Sequence, residues 1–339
     1  MKAPLPNTLA RTLRDFFSDH LPRLRGMSPH TTLSYRDSLV LLLRFIASQA
    51  GRAAATLDLN DIGTKEVIAF LTHLERDRHN RTTTRNVRLA ALHAFFRYVA
   101  GQHPDRLEQS QRILGIPFKR ARSRRVEYLE YDEIHAVLGA VNRRTYDGRR
   151  DYALLATMFN TGARVQEVLD LRAHDLQLVR PYHARLVGKG RKERLCPLWP
   201  QTAQVLKDFC AERQLDLRAD AAIFLNHRGK VLTRFGVRYI LAKHLRRART
   251  HSPTLVGKRL HPHSMRHSAA VHLLKAGVDL STIAQWLGHA SPNTTNRYAT
   301  IDLEIKRQAL ARAKPLGGKQ NTSGLWRRDT TILDWLEGL

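Results

Sequence analysis

The chain has 339 residues, 57 of them Lys or Arg against 30 Asp or Glu, for a formal charge of +27 at neutral pH. At 42% hydrophobic it carries enough apolar material for a packed core, which excludes wholesale disorder, and its length suits two domains of ordinary size. No apolar run approaches the roughly 20 residues of a membrane span, since the longest, around Leu39–Leu43, is broken by Arg44. The opening Met-Lys-Ala-Pro-Leu-Pro lacks an apolar signal core. Cys196 and Cys210 are too few for a disulfide framework and too far apart for a CxxC metal knuckle. The expectation is a soluble, cytoplasmic, strongly basic protein.

In chain order, the first hundred residues read as helices. One covers about 9–21. A second starts at Ser28-Pro29, an N-cap with Pro at the first helical position, and runs through Leu39, Leu42, Leu43 and Ile46 to Gly51. Thr64 caps a third, with Val67, Ile68, Leu71 and Leu74 on one face. A fourth, from about 82 to 99, buries Val87, Leu89, Leu92, Phe95 and Phe96 and carries Arg85, Arg88 and Arg97. Four such helices make a small bundle. Residues 102–125 then lose periodicity and turn polar, then basic, as an interdomain linker does. Helices are expected again at 130–141, 147–160 and 164–172. Short runs at 175–179, 184–187 and 193–198, separated by turn signals, predict a three-stranded meander. Further helices are expected at 200–213, 235–249, 262–276, 280–287 and 302–313.

The excess charge is spread over the whole chain, and two stretches stand out. Five of the seven residues from 119 to 125 are basic: Lys119, Arg120, Arg122, Arg124 and Arg125. From Arg228 to Lys275 there are 12 Lys or Arg and no carboxylate. Arginine outnumbers lysine 44 to 13, and its flat fork is the better bidentate partner for phosphate oxygens. A polyanion is the natural partner, bound in a salt-sensitive way through counterion release. Charge alone leaves open the plainer reading of arginine-rich codon usage with solvated side chains.

Chemistry concentrates in His263-Ser-Met-Arg266-His267. Pro262 suits the first helical position, and His263 and Arg266, three apart, share a helix face and can reach one anion. Taken alone the pentapeptide reads as a solvated basic helix. A metal reading from His263 and His267 is disfavoured, because no carboxylate lies nearby and the Glu of HExxH is absent. Leu287-Gly288-His289 and then Asn296-Arg297-Tyr298-Ala299 follow. A lone helix tyrosine is more often packing than nucleophile; the set of four residues at these gaps changes the odds. Upstream, Arg164 follows a glycine helix stop at Gly162, and Glu167 either pins its guanidinium or favours the helix N-terminus. Lys189 falls at a Gly-Lys-Gly hairpin tip, where lysines are usually solvated.

The stretches TGARVQEVLDLR, VGKGRKERLCPL, HPHSMRHSAAVHLL and LGHASPNTTNRYA, spanning 161–299 in that order, resemble the tyrosine recombinase/integrase family, close to its Xer-type and mobile-element members. The resemblance implies a mainly α fold with a small antiparallel sheet. Residues 1–103 would form a helical core-binding domain, 104–125 a basic linker and 126–314 the catalytic domain. The two domains would clamp duplex DNA, with Arg85, Arg88, Lys119, Arg120, Arg122, Arg124 and Arg125 contacting it. Residues 315–339 are either a disordered tail or a short helix docking on a neighbouring subunit.

It also implies a metal-independent site-specific DNA recombinase. Tyr298 attacks the scissile phosphate, leaving a 3′-phosphotyrosyl link and a free 5′-hydroxyl. Arg164 and Arg266 clamp the non-bridging oxygens. Lys189, with Lys192 as the fallback, protonates the leaving oxygen. His263 accepts the phenolic proton and His289 donates to a phosphate oxygen. Neither ATP nor Mg²⁺ is called for, because the covalent bond keeps the phosphodiester energy. The partners implied are double-stranded DNA with specific recombination sites and three further subunits, in a tetramer of this chain or one shared with sister recombinases. A nucleoid-associated place in the cytoplasm follows, with no membrane partner. Integration, excision or transposition of a mobile element is the favoured role. Chromosome or plasmid dimer resolution and a catalytically silent DNA-binding accessory factor are the alternatives, and a Mg²⁺ nuclease is disfavoured for want of paired carboxylates.

Overall fold

The structure, a computed structural model, describes residues 7–121, 126–188, 190, 192–288 and 298. The chain divides into two compact units, Met1–Arg124 and Arg125–Leu339. Among the described residues, no helix is long and apolar enough to cross a membrane.

The first unit is all helix. α1 (Thr8–Asp15) is capped by the Asn7 side chain and continues as a π-helical stretch, Phe16–Leu24. α2 (Pro29–Ala50) starts where Ser28 Oγ accepts the Thr31 N–H and stops at left-handed Gly51, as its sequence predicts. α3 (Thr64–Arg76) and α4 (Thr82–Gln102) complete the bundle. Gly63, not Thr64, occupies the N-cap of α3, with no side-chain cap. Phe95 holds the centre, its ring 5.3 Å from Phe16 and 5.4 Å from Phe96, all three fully buried. Val87, expected in this core, is 52% exposed, because it lies across α4 from the Leu89–Leu92–Phe96 stripe.

The expected linker over 104–125 needs a correction. A 3₁₀ turn (Pro104–Arg106) leads into α5 (Leu107–Leu114), whose Ile113 is buried with Ile116 in the same core. Gln109 Nε2 donates to the Leu59 and Ile62 carbonyls at 2.6 and 2.9 Å, tying α5 down. The helix is so short that it shows barely one apolar repeat, and its polar anchor gives no periodicity to read.

The second unit packs α6 (Tyr131–Gly139), α7 (Tyr146–Thr161), α8 (Val165–Leu169), α9 (Pro200–Glu212), α10 (Arg234–Ala248), α11 (Pro262–Lys275) and α12 (Leu280–Leu287) with one sheet. α7 is buried without a break from Ala153 to Thr161, flanked by α9 and α11. The sheet is the predicted meander: β1 (Leu176–Gln177), β2 (His183–Val187) and β3 (Glu193–Pro197), antiparallel in that order. Ala184, Leu186 and Cys196 turn inward, and the Gly188 N–H donates to the Lys192 carbonyl at the base of the hairpin tip. Both cysteines are buried free thiols, pushed up to about 12 (Cys196) and about 11 (Cys210) by burial.

α7 ends at Gly162, whose φ of +57° is the left-handed conformation that glycine adopts without strain. A methyl there would stand 2.5 Å from Leu287 Cδ2 and 3.2 Å from Ala269 Cβ, so this turn touches both α11 and α12. Gly162→Ala adds left-handed strain to that overlap and is expected to cost about 2–3 kcal/mol of unfolding free energy. Urea unfolding followed by tryptophan fluorescence checks it; an unshifted midpoint would show that the turn has room to spare.

Candidate active site

The site grows from helix ends. Pro262 opens α11, and Ser264 closes its first turn by accepting the His261 N–H at 3.2 Å. The helix then sinks inward, burying Ser264 through Val271, Arg266 among them at 1% exposure. Arg266 Nη1 donates to the Gly162 carbonyl at 2.8 Å and Nη2 to the Leu287 carbonyl at 2.6 Å. Burial, then the neighbouring Arg164 charge, lowers the guanidinium to about 10, with Glu167 pulling the other way. It stays charged at neutral pH, and its direct acceptors are neutral carbonyls. Such an arginine keeps its charge available for an anion.

Arg164 stands at the N-cap of α8, directly after the Gly162 turn. Its backbone N–H donates to Glu167 Oε2 at 2.9 Å, its Nη1 to Glu167 Oε1 at 2.7 Å, and its Nη2 to the Gly288 carbonyl at 3.3 Å. Glu167 therefore does both things the sequence left open: it completes the helix start and pins the guanidinium. A third arginine, Arg194 on β3, reaches Glu167 Oε2 at 2.7 Å. Burial pushes the Glu167 carboxyl up, but the Arg194 bond and charge and then the Arg164 bonds outweigh it and hold the group below the usual carboxylate range.

Tyr298 is 1% exposed, in an apolar cluster with Ala270, Val271, Ile283 and Leu287. Its hydroxyl lies 2.8 Å from His267 Nδ1. The His263 ring stands edge-on to His267 with centroids 4.6 Å apart. The expected proton acceptor, His263, thus has a companion at the phenol that sequence reasoning considered only as a metal ligand. Its signal was the four-residue spacing of the two histidines, which stacks them along α11 toward the tyrosine. Among the described residues, no three His, Cys, Asp or Glu side chains gather where they could hold a metal ion.

The structure brings together Arg164, Glu167, Arg266, Tyr298 and His263, with His267 and Arg194 added. Lys189 and His289 lie outside the described residues, as do Arg122, Arg124, Arg125 and the 315–339 tail. Lys192 is exposed on the hairpin. Two of the expected DNA contacts are corrected. Arg85 is 5% exposed and donates to the Pro117 carbonyl at 3.0 Å, fastening the end of its own unit. Arg88 is half-buried, bonded to Ser38 Oγ at 3.0 Å. Both point across α4 at neighbouring segments, a direction that helical spacing could not fix without knowing those segments pack there. Lys119 is exposed but paired with Glu75, and Arg120 is exposed. Within the basic 228–275 stretch, α10 presents a surface whose two rings the sequence did not mark: Arg234, Phe235, Arg238 and Tyr239 all face solvent, the rings at 81% and 71%.

Residues 127–304 match the phage integrase family and residues 15–103 match the N-terminal SAM-like domain of phage integrases. The chain belongs to the phage integrase family, that is, to the tyrosine recombinases. It is 40% identical over 333 residues to the integrase/recombinase y4rC of Sinorhizobium fredii, covering 98% of each protein. It is 29% identical over 306 residues to the tyrosine recombinase XerC of Pelobacter propionicus, covering 88% of this chain and 94% of that one. Among solved structures, the XerH recombinase bound to its difH substrate superposes with a TM-score of 0.65 at 23% identity, over 87% of this chain and 83% of that one. The Tn1549 transposon integrase, in complex with a circular intermediate DNA, does so at 0.67 and 15% identity, over 88% and 98%. These last two likenesses are likenesses of fold.

The carboxylate between the arginines has a pH signature. Because its folded pKa is depressed, Glu167 contributes stability that is fully present above the unfolded value near ~4.3 and is lost as pH falls through the folded value. Glu167→Gln is therefore expected to be clearly less stable than the parent at pH 7, and the gap should begin to narrow as pH falls past the unfolded value and close only below the depressed folded one. Urea unfolding across that range measures the gap; a gap that does not change with pH would remove the charge from the explanation.

Proposed function

We propose that this chain is a site-specific DNA recombinase that cuts and rejoins strands through Tyr298. The observation that carries the reading is the meeting of Arg164 and Arg266, from separate segments, on adjacent carbonyls at the end of α12, with Tyr298 buried in the same cluster as Leu287, whose carbonyl accepts from Arg266. Two guanidinium groups with that spacing suit the two non-bridging oxygens of one phosphodiester.

The Tyr298 oxygen attacks phosphorus, and the bond to the 5′-oxygen breaks. The phenolic proton passes to the imidazoles of His267 and His263, and the leaving oxygen takes a proton from Lys189. His289 donates to a phosphate oxygen. The 5′-hydroxyl of a partner strand reverses the step, so two rounds exchange both strand pairs through a four-way junction. No bond energy is lost to water, so the reaction requires no ATP, and the guanidinium charges of Arg164 and Arg266 do at the phosphate what a divalent metal would do elsewhere.

Arg120 with Arg122, Arg124 and Arg125 would contact phosphates and set position, while the exposed α10 face, with two rings between arginines, has the chemistry to touch base edges and thymine methyls. Four copies of this chain, or this chain with sister recombinases, would act on two sites. The likeness to y4rC, named an integrase/recombinase, supports integration, excision or transposition of a mobile element as the role we favour, with dimer resolution as the second reading.

The test uses duplexes that the protein itself selects from a random pool, nicked beside the cleavage position and incubated in excess EDTA. A covalent protein–DNA adduct is expected, absent in Tyr298→Phe. Arg266→Gln should slow its formation by about 10²–10³ while still binding DNA, the loss typical of removing one charge-stabilising donor. Binding without an adduct would leave an accessory DNA-binding factor, and cleavage abolished by EDTA would point to a metal nuclease.

A further inference from the structure

The inward face of β3 carries an arginine where a buried strand usually carries an aliphatic residue. Arg194 stands opposite Leu186 in the register, and Cys196, two residues on, is fully buried on the same face. A charge placed there costs free energy unless it is paired. Arg194 is 12% exposed, and every pairing it makes leads to the active site. Its Nη2 donates to Glu167 Oε2 at 2.7 Å and its Nε to the Trp286 carbonyl at 2.8 Å. A methyl on Gly288 would lie 2.9 Å from Arg194 Nη1; one on Gly188 would lie 3.2 Å from Glu167 Oε1 and 3.6 Å from Arg194 Nη1. The same guanidinium thus lies against the glycines that precede Lys189 and His289 in the chain.

We infer that Arg194 is the positioning residue of the phosphate clamp, sharing the Glu167 carboxylate with Arg164 so that Arg164 is oriented by Glu167 without being neutralised by it. The inference rests on the strand-transfer reading above. Arg194 itself does not meet the phosphate. Without it, Glu167 Oε2 keeps only the Arg164 backbone N–H, and the full charge of a buried carboxylate faces one guanidinium. The undivided carboxylate then draws more of the Arg164 charge through the bond they already share, and that charge is withdrawn from the non-bridging oxygen. The bond to Trp286 serves the same end, because it fixes the turn whose Gly288 carbonyl accepts from Arg164.

Charge sharing makes a prediction about sign that a merely structural role does not. Single-turnover adduct formation is measured on the selected nicked duplex at saturating DNA, for the parent, Arg194→Gln, Glu167→Gln and the double variant. Each single substitution should lower the rate at least about tenfold with Kd for DNA within about threefold. In the Arg194→Gln background, Glu167→Gln should raise the rate, since the uncompensated carboxylate that captures Arg164 is then gone. Additive losses, or a further fall in the double variant, would overturn the inference. Arg194→Lys keeps a cation beside Glu167 and decides the matter should the glutamine variant not fold: a rate within about fivefold of the parent supports charge sharing, and a larger loss overturns it. A parent that forms no adduct defeats the strand-transfer reading itself, whereas an active parent with indifferent Arg194 variants defeats only this inference.

Discussion

The site depends on one buried carboxylate between two guanidinium groups. Glu167 is 4% exposed on its side chain, a position where a lone carboxylate would protonate sooner than stay charged. Arg164 and Arg194 keep it ionised, and in return it sets their planes. Three chain segments meet there: the turn into α8, the third strand of the meander and the end of α12. That contact joins all three segments at one point, and the Arg194–Trp286 and Arg164–Gly288 carbonyl bonds reinforce it in pairs.

The charge balance is deliberately incomplete. Beyond burial, the charges of Arg164 and Arg194 both push the Arg266 guanidinium down, and one carboxylate, Glu167, pulls it the other way. The bonded geometry gives Glu167 to the first two and leaves Arg266 with carbonyls alone. A buried cation satisfied only by neutral acceptors is expensive in an empty site and strongly favourable once an anion arrives. The desolvation has been met by folding, so the attraction to a phosphate is felt at low dielectric.

Much of this was legible beforehand, and what was not has identifiable causes. Ser28-Pro29, Gly51, Gly162 and the meander were readable because caps, left-handed glycines and alternating strands are local features. The roles of Arg164, Arg266 and Tyr298 followed from the family resemblance of the stretches that carry them. Arg194 is not marked by its sequence, because a charged strand residue reads as solvated unless its partner, 27 residues upstream, is known to be near. His267 was weighed only against metal binding, because its partner lies 31 residues downstream. Arg85 looked like a DNA contact for the opposite reason: a helix pattern marks a polar face without saying that the 117–119 segment covers it. The 104–116 stretch failed on length, as an eight-residue helix anchored by Gln109 offers too little repeat to recognise.

Backbone carbonyls hold Arg266 and take a share of Arg164. Gly162 and Gly288 are the left-handed caps of α7 and α12, and the carbonyls of Gly162, Leu287 and Gly288 are the ones that receive Arg266 and Arg164. Helix C-termini present orphan carbonyls and the negative end of the macrodipole, worth about half a charge. A carboxylate in their place would fix an arginine equally well but would neutralise it. Carbonyls fix it and leave most of its charge outward. Two glycines are needed because the chain must turn sharply to aim those oxygens, and at each one a Cβ would strike a neighbour that the site requires, Leu287 at the first and Arg194 at the second. Glycine at 162 and 288 is thus a consequence of holding cations for an anion that the protein does not itself supply.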